Sequence, residues 1–417
     1  MNDSAISHAV CLGCGCACDD IEITVHAGRI AGATNACPVG LAWYGDGTVP
    51  ERVMVRGKRA TVETATRAIA DMLKGGPALI YLAPDLTTEA QREAIALADL
   101  CGARLDSVTS DTAAAGILVG QRRGRATATL GEIRNRADLL VFWALDPATR
   151  YPRFLSRYAL EPTGTHVPKG AADRRVVAVD VGAAMGPRTA SSRIVLSPAN
   201  ESAALGVMRA TVLGREVPGL SPELQDAADL AGEMTRARYV ALIHDSEPED
   251  APGDPQRVEG LIGLAQALNG PTRCALSSLR AGGNRSGADA AMVWQTGFPF
   301  AVDFADGAPR YRPEQPASYA LASLSVVLIV GAAHRVPDAV IRGVTGRRAA
   351  VIGPRATETP FMIEAAVDTG VAGIHEAGIG YRMDDVPLPL PEILPGPAST
   401  AAVVRAVAAA VTTGARS

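Results

Sequence analysis

A chain of 417 residues with 47% hydrophobic content and a formal charge of −4 is long enough for two or three domains with real cores. The near balance of acid and base, with no Lys/Arg block interleaved with aromatics, argues against nucleic acid as a partner. No stretch approaches the roughly 20 apolar residues that span a bilayer, and the opening MNDSAISHAV lacks the basic start and apolar run of a secretory leader, so a cytoplasmic, membrane-free protein is expected.

The first feature along the chain is chemical. Cys11, Cys14 and Cys18 stand as C-x2-C-x3-C, and Cys37 follows as a lone fourth cysteine. In a reducing compartment clustered cysteines mean metal before disulfide. Three thiolates on one short loop can reach three corners of a cubane, and Cys37, returning after a hairpin, can supply the fourth. A 4Fe–4S cluster is the expected occupant. A four-thiolate zinc site is the structural rival, although zinc more often pairs two short cysteine knuckles than a triple with a single. Unmetallated thiols are the third reading. Cys16 interrupts the triple and reads as a bystander, while Cys101 and Cys274 sit in apolar surroundings as small core residues.

Ile21, Ile23 and Val25 alternate with polar residues, Ala27-Gly28 turns, and Arg29-Ile30 returns toward Cys37, which makes residues 1–58 a small β cap carrying the cysteine frame. From Thr61 the grammar becomes βαβ: a helix to Leu73, a strand Ala78–Leu82, a helix from Thr87 to Leu100. Further strands are expected at Leu139–Trp143, Val176–Val179, Val240–Ile243, Cys274–Ser277, Val326–Val330 and Ala350–Ile352. The implied fold is α/β with doubly wound parallel sheets: a first α/β part over 59–175, a nested second domain over 176–330, and a return to the core over 331–417. Two Arg-, Tyr- and Pro-rich loops, 146–172 and 297–316, are binding surfaces or domain connections. Pro387 to Pro397 reads as extended, with an Ala-rich helix after Thr400.

In such sheets ligands settle beyond the carboxyl ends of strands, at Asp146, Asp180, Asp245 or Gly331 here. There is no G-x-G-x-x-G after a strand and no phosphate loop, and a strand-end Asp is as often a turn residue. The six histidines are scattered singly, with no H-x-x-x-H and no H-x-E, and no G-x-S-x-G occurs, so no hydrolytic centre is assigned.

VCLGCGCACDDIEI with NACPVG, TATLGEIRNRADLLVFW, DPATRYPRFLSRY, WQTGFPFAVDF with PRYRPEQ, TETP, and GIGYRMDDVPL together resemble, almost end to end, the B subunit of formylmethanofuran dehydrogenase, and most of all the B subunit of bacterial formyltransferase/hydrolase complexes. The resemblance implies the molybdopterin oxidoreductase fold, in which a cluster-binding N-terminal domain precedes α/β domains that hold a molybdenum or tungsten bis-pterin guanine dinucleotide. In the bacterial branch it implies hydrolase (A), accessory (C) and formyltransferase (D) subunits as partners. There a formyl group passes from tetrahydromethanopterin to methanofuran and is hydrolysed to formate by a zinc-dependent partner.

Departures from the redox pattern separate the two branches. That branch carries a Cys-His pair ahead of the T-A-T-L-G-E block, and counting back from Thr127 places it near Thr112 and Ala113; no Cys or His occurs from Gly102 to Thr165. Without a soft thiolate the heavy metal loses its protein bond unless an oxygen of Ser110 or Asp111 takes over. A basic residue expected after the fourth cysteine is missing in Cys37-Pro38-Val39-Gly40. Family Arg-Gly-His-Tyr-Asn has become Arg280-Ala281-Gly282-Gly283-Asn284, and Asp180 is followed by Val181-Gly182 in place of Pro-Arg. Ser110, Asp111, Thr112 and Asp180 therefore mark a vestigial pterin and metal region in a non-catalytic structural subunit. The alternatives are an active molybdenum or tungsten dehydrogenase with an oxygen ligand, and an iron–sulfur electron-transfer module.

Overall fold

The computed structural model describes residues 4–248 and 253–413. Two compact units emerge, one made of Met1–Asp111 and Gly282–Ser417, the other of Thr112–Ala281.

In the first unit the alternating run builds the cap as expected. Strands Ser4–Ala9, Ile21–His26 and Arg29–Thr34 form an antiparallel sheet in that order. Ile21, Ile23 and Val25 turn inward and their neighbours outward. Ala27 and Gly28 both take positive φ, 50° and 77°, the handedness a tight hairpin needs to match strand twist. The chain then returns to Cys37, which caps a short helix over Pro38–Tyr44.

Behind the cap lies a nine-stranded sheet. Its five central strands, Arg104–Ser107, Ala78–Leu82, Val326–Val330, Arg348–Gly353 and Ala365–Asp368, run parallel, and short antiparallel pairs close both edges. Side chains of each parallel strand alternate between two cores, which is why the strands read as unbroken apolar runs. Ala78, Ile80 and Leu82 pack under the helices Val62–Leu73, Thr88–Cys101 and Thr400–Thr413, while Leu79 and Tyr81 face the opposite layer with Leu321 and Val340. The proline-rich tail is extended where it was expected to be: Pro387–Leu390 pairs with Gly378–Tyr381.

The second unit is a five-stranded, all-parallel sheet ordered Ser192–Leu196, Arg175–Val181, Leu139–Trp143, Val240–Asp245, Cys274–Leu279. Val141, Val177, Leu242 and Leu276 form its centre. Trp143 donates its indole N–H to Glu201 at 2.6 Å, and Arg257 neutralises that buried carboxylate. Among the described residues no helix is long and apolar enough to cross a membrane.

The nested unit does not run over 176–330. Leu139–Trp143 pairs with Arg175–Val181 inside it, and Val326–Val330 pairs with Ala78–Leu82 in the first unit. Strand rhythm shows where strands lie but not which sheet each joins, and no change of composition marks residues 111–112 or 281–282. Arg104–Ser107 was not foreseen because two charges interrupt it; both are buried, with Arg104 donating to Gln315 and the Arg312 carbonyl, and Asp106 accepting backbone N–H groups. The loop 146–172 sends Tyr151 and Phe154 into the core, Phe154 meeting Phe142 edge-on at 6.3 Å.

Asn284 ties the first unit together. Its side-chain N–H groups reach the Leu86 carbonyl at 3.0 Å and Thr88 at 3.1 Å, and its oxygen accepts from Tyr381 N–H at 2.7 Å. It is fully buried. Asn284→Ala strands these partners without water, so it should cost about 3 kcal/mol in urea unfolding of the full chain; a loss under about 1 kcal/mol would remove Asn284 as the anchor.

Candidate functional site

The four expected cysteines converge in the first unit. Cys11, Cys14 and Cys18 are buried and Cys37 is partly so. The loop closes by a bond from Cys11 N–H to the Cys18 carbonyl at 2.9 Å and one from Ala17 to the Cys14 carbonyl at 3.2 Å, with Ala17 at positive φ. Gly13 N–H donates to Cys11 Sγ at 3.4 Å. Burial pushes the Cys11 thiol far up, and the charges of Cys14, Cys18 and Cys37 push it further, so all four sulfurs share one neighbourhood. Cys16 is fully buried within the triple, and hydrogen bonding with Cys14, then burial, push its thiol well up. Among the described residues no group of three or more His, Cys, Asp or Glu is drawn together as metal ligands are.

Glycines let the backbone come this close. A Cβ on Gly13 would lie 2.9 Å from the Val39 carbonyl oxygen, and one on Gly40 would lie 3.3 Å from Cys11 Sγ. The cysteine loop also meets the segment at 282–283. A Cβ on Gly282 would sit 2.1 Å from the Gly13 carbonyl oxygen, and one on Gly283, at φ 97°, would sit 2.2 Å from that of Pro84. Gly283 N–H donates to the Leu12 carbonyl at 2.8 Å. No side chain fits at either position.

On the other side of the loop, Trp43 and Tyr44 line a pocket of about 440 Å³ together with Gly13, His334, Arg335 and His375. Arg335 lies 5.0 Å over the Trp43 ring. Tyr44 is 2% exposed, and its hydroxyl has no hydrogen-bond partner among the described residues. Burial, then the nearby Cys11 and Cys18, hold that hydroxyl firmly protonated. Clustered thiols and glycine-flanked backbone thus put sulfur donors in one dry loop, without the ligand grouping of a bound metal among the described residues.

Ser110 and Asp111 lie at the carboxyl end of Arg104–Ser107, in a buried polar cluster whose central member, Asp106, was missed because its strand was missed. Ser110 Oγ lies 2.8 Å from the Asp106 carboxylate and 3.4 Å from that of Asp111. Ser318 donates to Asp111 at 2.5 Å. Both oxygen-bearing side chains that could replace a metal thiolate are thus already engaged. The fully buried Tyr81 hydroxyl has no hydrogen-bond partner among the described residues, and it feels the Asp111 and Asp106 charges. Thr112 and Asp180 belong to the second unit. Thr112 is buried, with its carbonyl accepting from Gly253. Asp180 is fully buried, paired with Arg193 and accepting from Gly186 N–H at 2.7 Å, so it holds its own loop and is closed to a ribose. Asp146 likewise closes a turn through Ala148 N–H at 2.9 Å.

Burial, and then repulsion from Asp111, push the Asp106 carboxyl from 3.8 up to about 7. The folded chain therefore binds a proton that the unfolded chain releases between those values. Stability carried by Asp106 is complete below the unfolded pKa and is lost as pH rises through about 7. Glu376, raised to about 7 by burial, acts in the same window. Asp106→Asn should flatten part of the fall in thermal midpoint between pH 4 and 7; a slope identical to that of the unaltered chain would show that Asp106 is ionised throughout.

No family model matches the chain. Two curated proteins do. The B subunit of tungsten-containing formylmethanofuran dehydrogenase 2 from Methanocaldococcus jannaschii is 28% identical over 420 residues, and its counterpart from Methanococcus maripaludis is 27% identical over 411, each alignment covering 94% of both chains. Among solved structures, a chain in the formyltransferase/hydrolase complex (FhcABCD) from Methylorubrum extorquens, determined with methylofuran, superposes with a TM-score of 0.74 at 20% identity, covering 88% of this chain and all of that one. The chain is thus similar along nearly its whole length to formylmethanofuran dehydrogenase B subunits, and shares its fold with a chain of the solved complex.

Proposed function

We propose that this chain is a non-catalytic structural subunit of a cytoplasmic formyltransferase/hydrolase complex in one-carbon metabolism, built on the frame of a molybdenum or tungsten oxidoreductase. Its partners would be the hydrolase, accessory and formyltransferase subunits that move a formyl group from tetrahydromethanopterin to methanofuran and release formate. The observation that carries this reading is the packing at Gly282 and Gly283. Where the redox pattern has His and Tyr, backbone lies against backbone at distances that admit no Cβ. The Asp106–Ser110–Asp111 hydrogen bonds support it, since the nearest substitute oxygens are committed to each other. Exposed apolar side chains on the same unit, Trp294 at 60%, Tyr319 at 67% and Met362 at 91%, suit a protein that lives among partners. A permanent interface of this kind should bury on the order of 2,000 Å² or more.

The cysteine frame belongs to the proposal as a holder of a 4Fe–4S cluster. When bound, such a cluster supplies a one-electron redox centre and a rigid crosslink. Cys11, Cys14, Cys18 and Cys37 would hold it, while the buried loop excludes water.

Metal analysis of the complex isolated without oxygen tests the reading. Iron and acid-labile sulfide near four per chain are expected, with neither molybdenum nor tungsten, and with transferase and hydrolase activities lost on omission of this chain but kept in Ser110→Ala. Stoichiometric molybdenum or tungsten, with formylmethanofuran-dependent reduction of a viologen dye, would establish the active dehydrogenase instead.

A further inference from the structure

The TETP block at 357–360 belongs to neither the cysteine frame nor the Asp106 cluster. Its first residue is fastened to the end of the strand Ala365–Asp368, where Thr357 donates both its N–H and its hydroxyl to the buried Asp368 carboxylate at 2.8 Å. From that turn, residues 361–363 lead along a groove of about 730 Å³ in the first unit. Phe361 and Ile363 pack onto the core of the large sheet beside Met54, whereas Met362 between them stands in solvent, 91% exposed. All four line the groove, so its apolar lining is continuous with the core. A second wall is the hairpin joining Val53–Val55 to Lys58–Arg59, whose turn residues Arg56 and Gly57 take φ of 47° and 75°. An arginine is uncommon at positive φ, where glycine fits without strain. Here Arg56 N–H is bonded to the Glu364 carbonyl at 2.7 Å, which fixes the residue beside the groove.

The charges around this groove do not balance. Glu364 neutralises Arg348 through bonds of 2.7 and 3.0 Å. Arg347 is held by backbone carbonyls, reaching that of Leu324 at 2.9 Å, and so keeps its charge. Arg59 pairs across the hairpin with Met54 and stands on the same face. Positive charge thus exceeds negative around an apolar hollow, in a chain whose net charge is −4.

We propose that this groove receives an acidic segment of a partner subunit, which seats a large apolar side chain against Met54, Phe361 and Ile363 and places Asp or Glu residues opposite Arg56, Arg59 and Arg347. The proposal rests on the reading of the chain as a subunit of a complex, and it adds the surface and the chemistry of one contact. Strand addition is not the mode of docking, because the sheet edge here is only Lys58–Arg59, two charged residues. Apolar burial supplies the hold, while the cations set register and speed the approach. Methionine suits the lip, since its unbranched side chain adapts to what lies against it.

The test uses the full-length chain, alone and co-expressed with the hydrolase, accessory and formyltransferase subunits. A benzoylphenylalanine in place of Met362 should, on irradiation of the assembled complex, join a peptide of another subunit in which acidic residues flank a large apolar one. Met362→Asp and Arg56→Glu should each weaken assembly by about tenfold or more. Added salt should weaken the unaltered complex more than the Arg56→Glu complex. Arg56→Gly separates docking from folding: it relieves the positive φ, so the thermal midpoint of the chain alone should rise while assembly weakens, and Arg56→Lys should preserve assembly. A purely structural role for Arg56 would move midpoint and assembly in the same direction. Variants that assemble as the unaltered chain does, or a crosslink to a basic peptide or to none, would overturn the docking surface while leaving membership of the complex in place. An unaltered chain that joins none of those subunits would overturn both.

Discussion

The structure of the first unit depends on one close approach: the cysteine loop lying directly on the backbone at Gly282–Gly283. Gly283 N–H bonds to the Leu12 carbonyl at 2.8 Å, and the next residue, Asn284, fastens the same segment to Leu86, Thr88 and Tyr381. The cap, whose own strands are few and short, is thereby joined to the large sheet by backbone hydrogen bonds on glycines. A Cβ at either glycine would run into that backbone, so the close approach holds only with glycine at both positions.

A second consequence concerns charge. Asp106 and Asp111, both largely buried, stand around Ser110 at the end of a central strand, and Arg285 is the cation whose charge reaches the Tyr81 hydroxyl beside them. Burial first, and then the charge of Asp111 beside it, push Asp106 toward neutrality. A protonated carboxyl is a donor as well as an acceptor, and it can satisfy its neighbours without a cation. The polar cluster is thus internally consistent at the protonation state its burial enforces.

Much of this was legible in the sequence. Strand runs such as Ala78–Leu82 and Val326–Val330 and the hairpin at Ala27-Gly28 rest on local sequence signals, and all stand in the structure. Domain boundaries were not legible, because they are set by which strands pair across hundreds of residues. Arg104–Ser107 hid behind its charges, whose partners, Gln315 and the N–H of Ala301, are far away in sequence. Asp180 was ambiguous for the same reason: a strand-end aspartate looks alike whether it awaits a ribose or is held by Arg193. Tyr44 carried no signal beyond its distance from Cys37, since an orphaned hydroxyl exists only in three dimensions.

The four cysteines sit on the smallest part of the first unit, the N-terminal cap. Its three strands and one short helix bury a modest core, and units of this size commonly need a metal or crosslink to hold together. Unmetallated, the buried Cys11 and Cys16 would stay neutral, with their pKa values pushed far up, and would be small apolar fillers replaceable by alanine or serine. Bound to a metal as thiolates, as proposed, the frame sulfurs would instead be accepting groups in a dry loop, where Gly13 N–H is already directed at Cys11 Sγ.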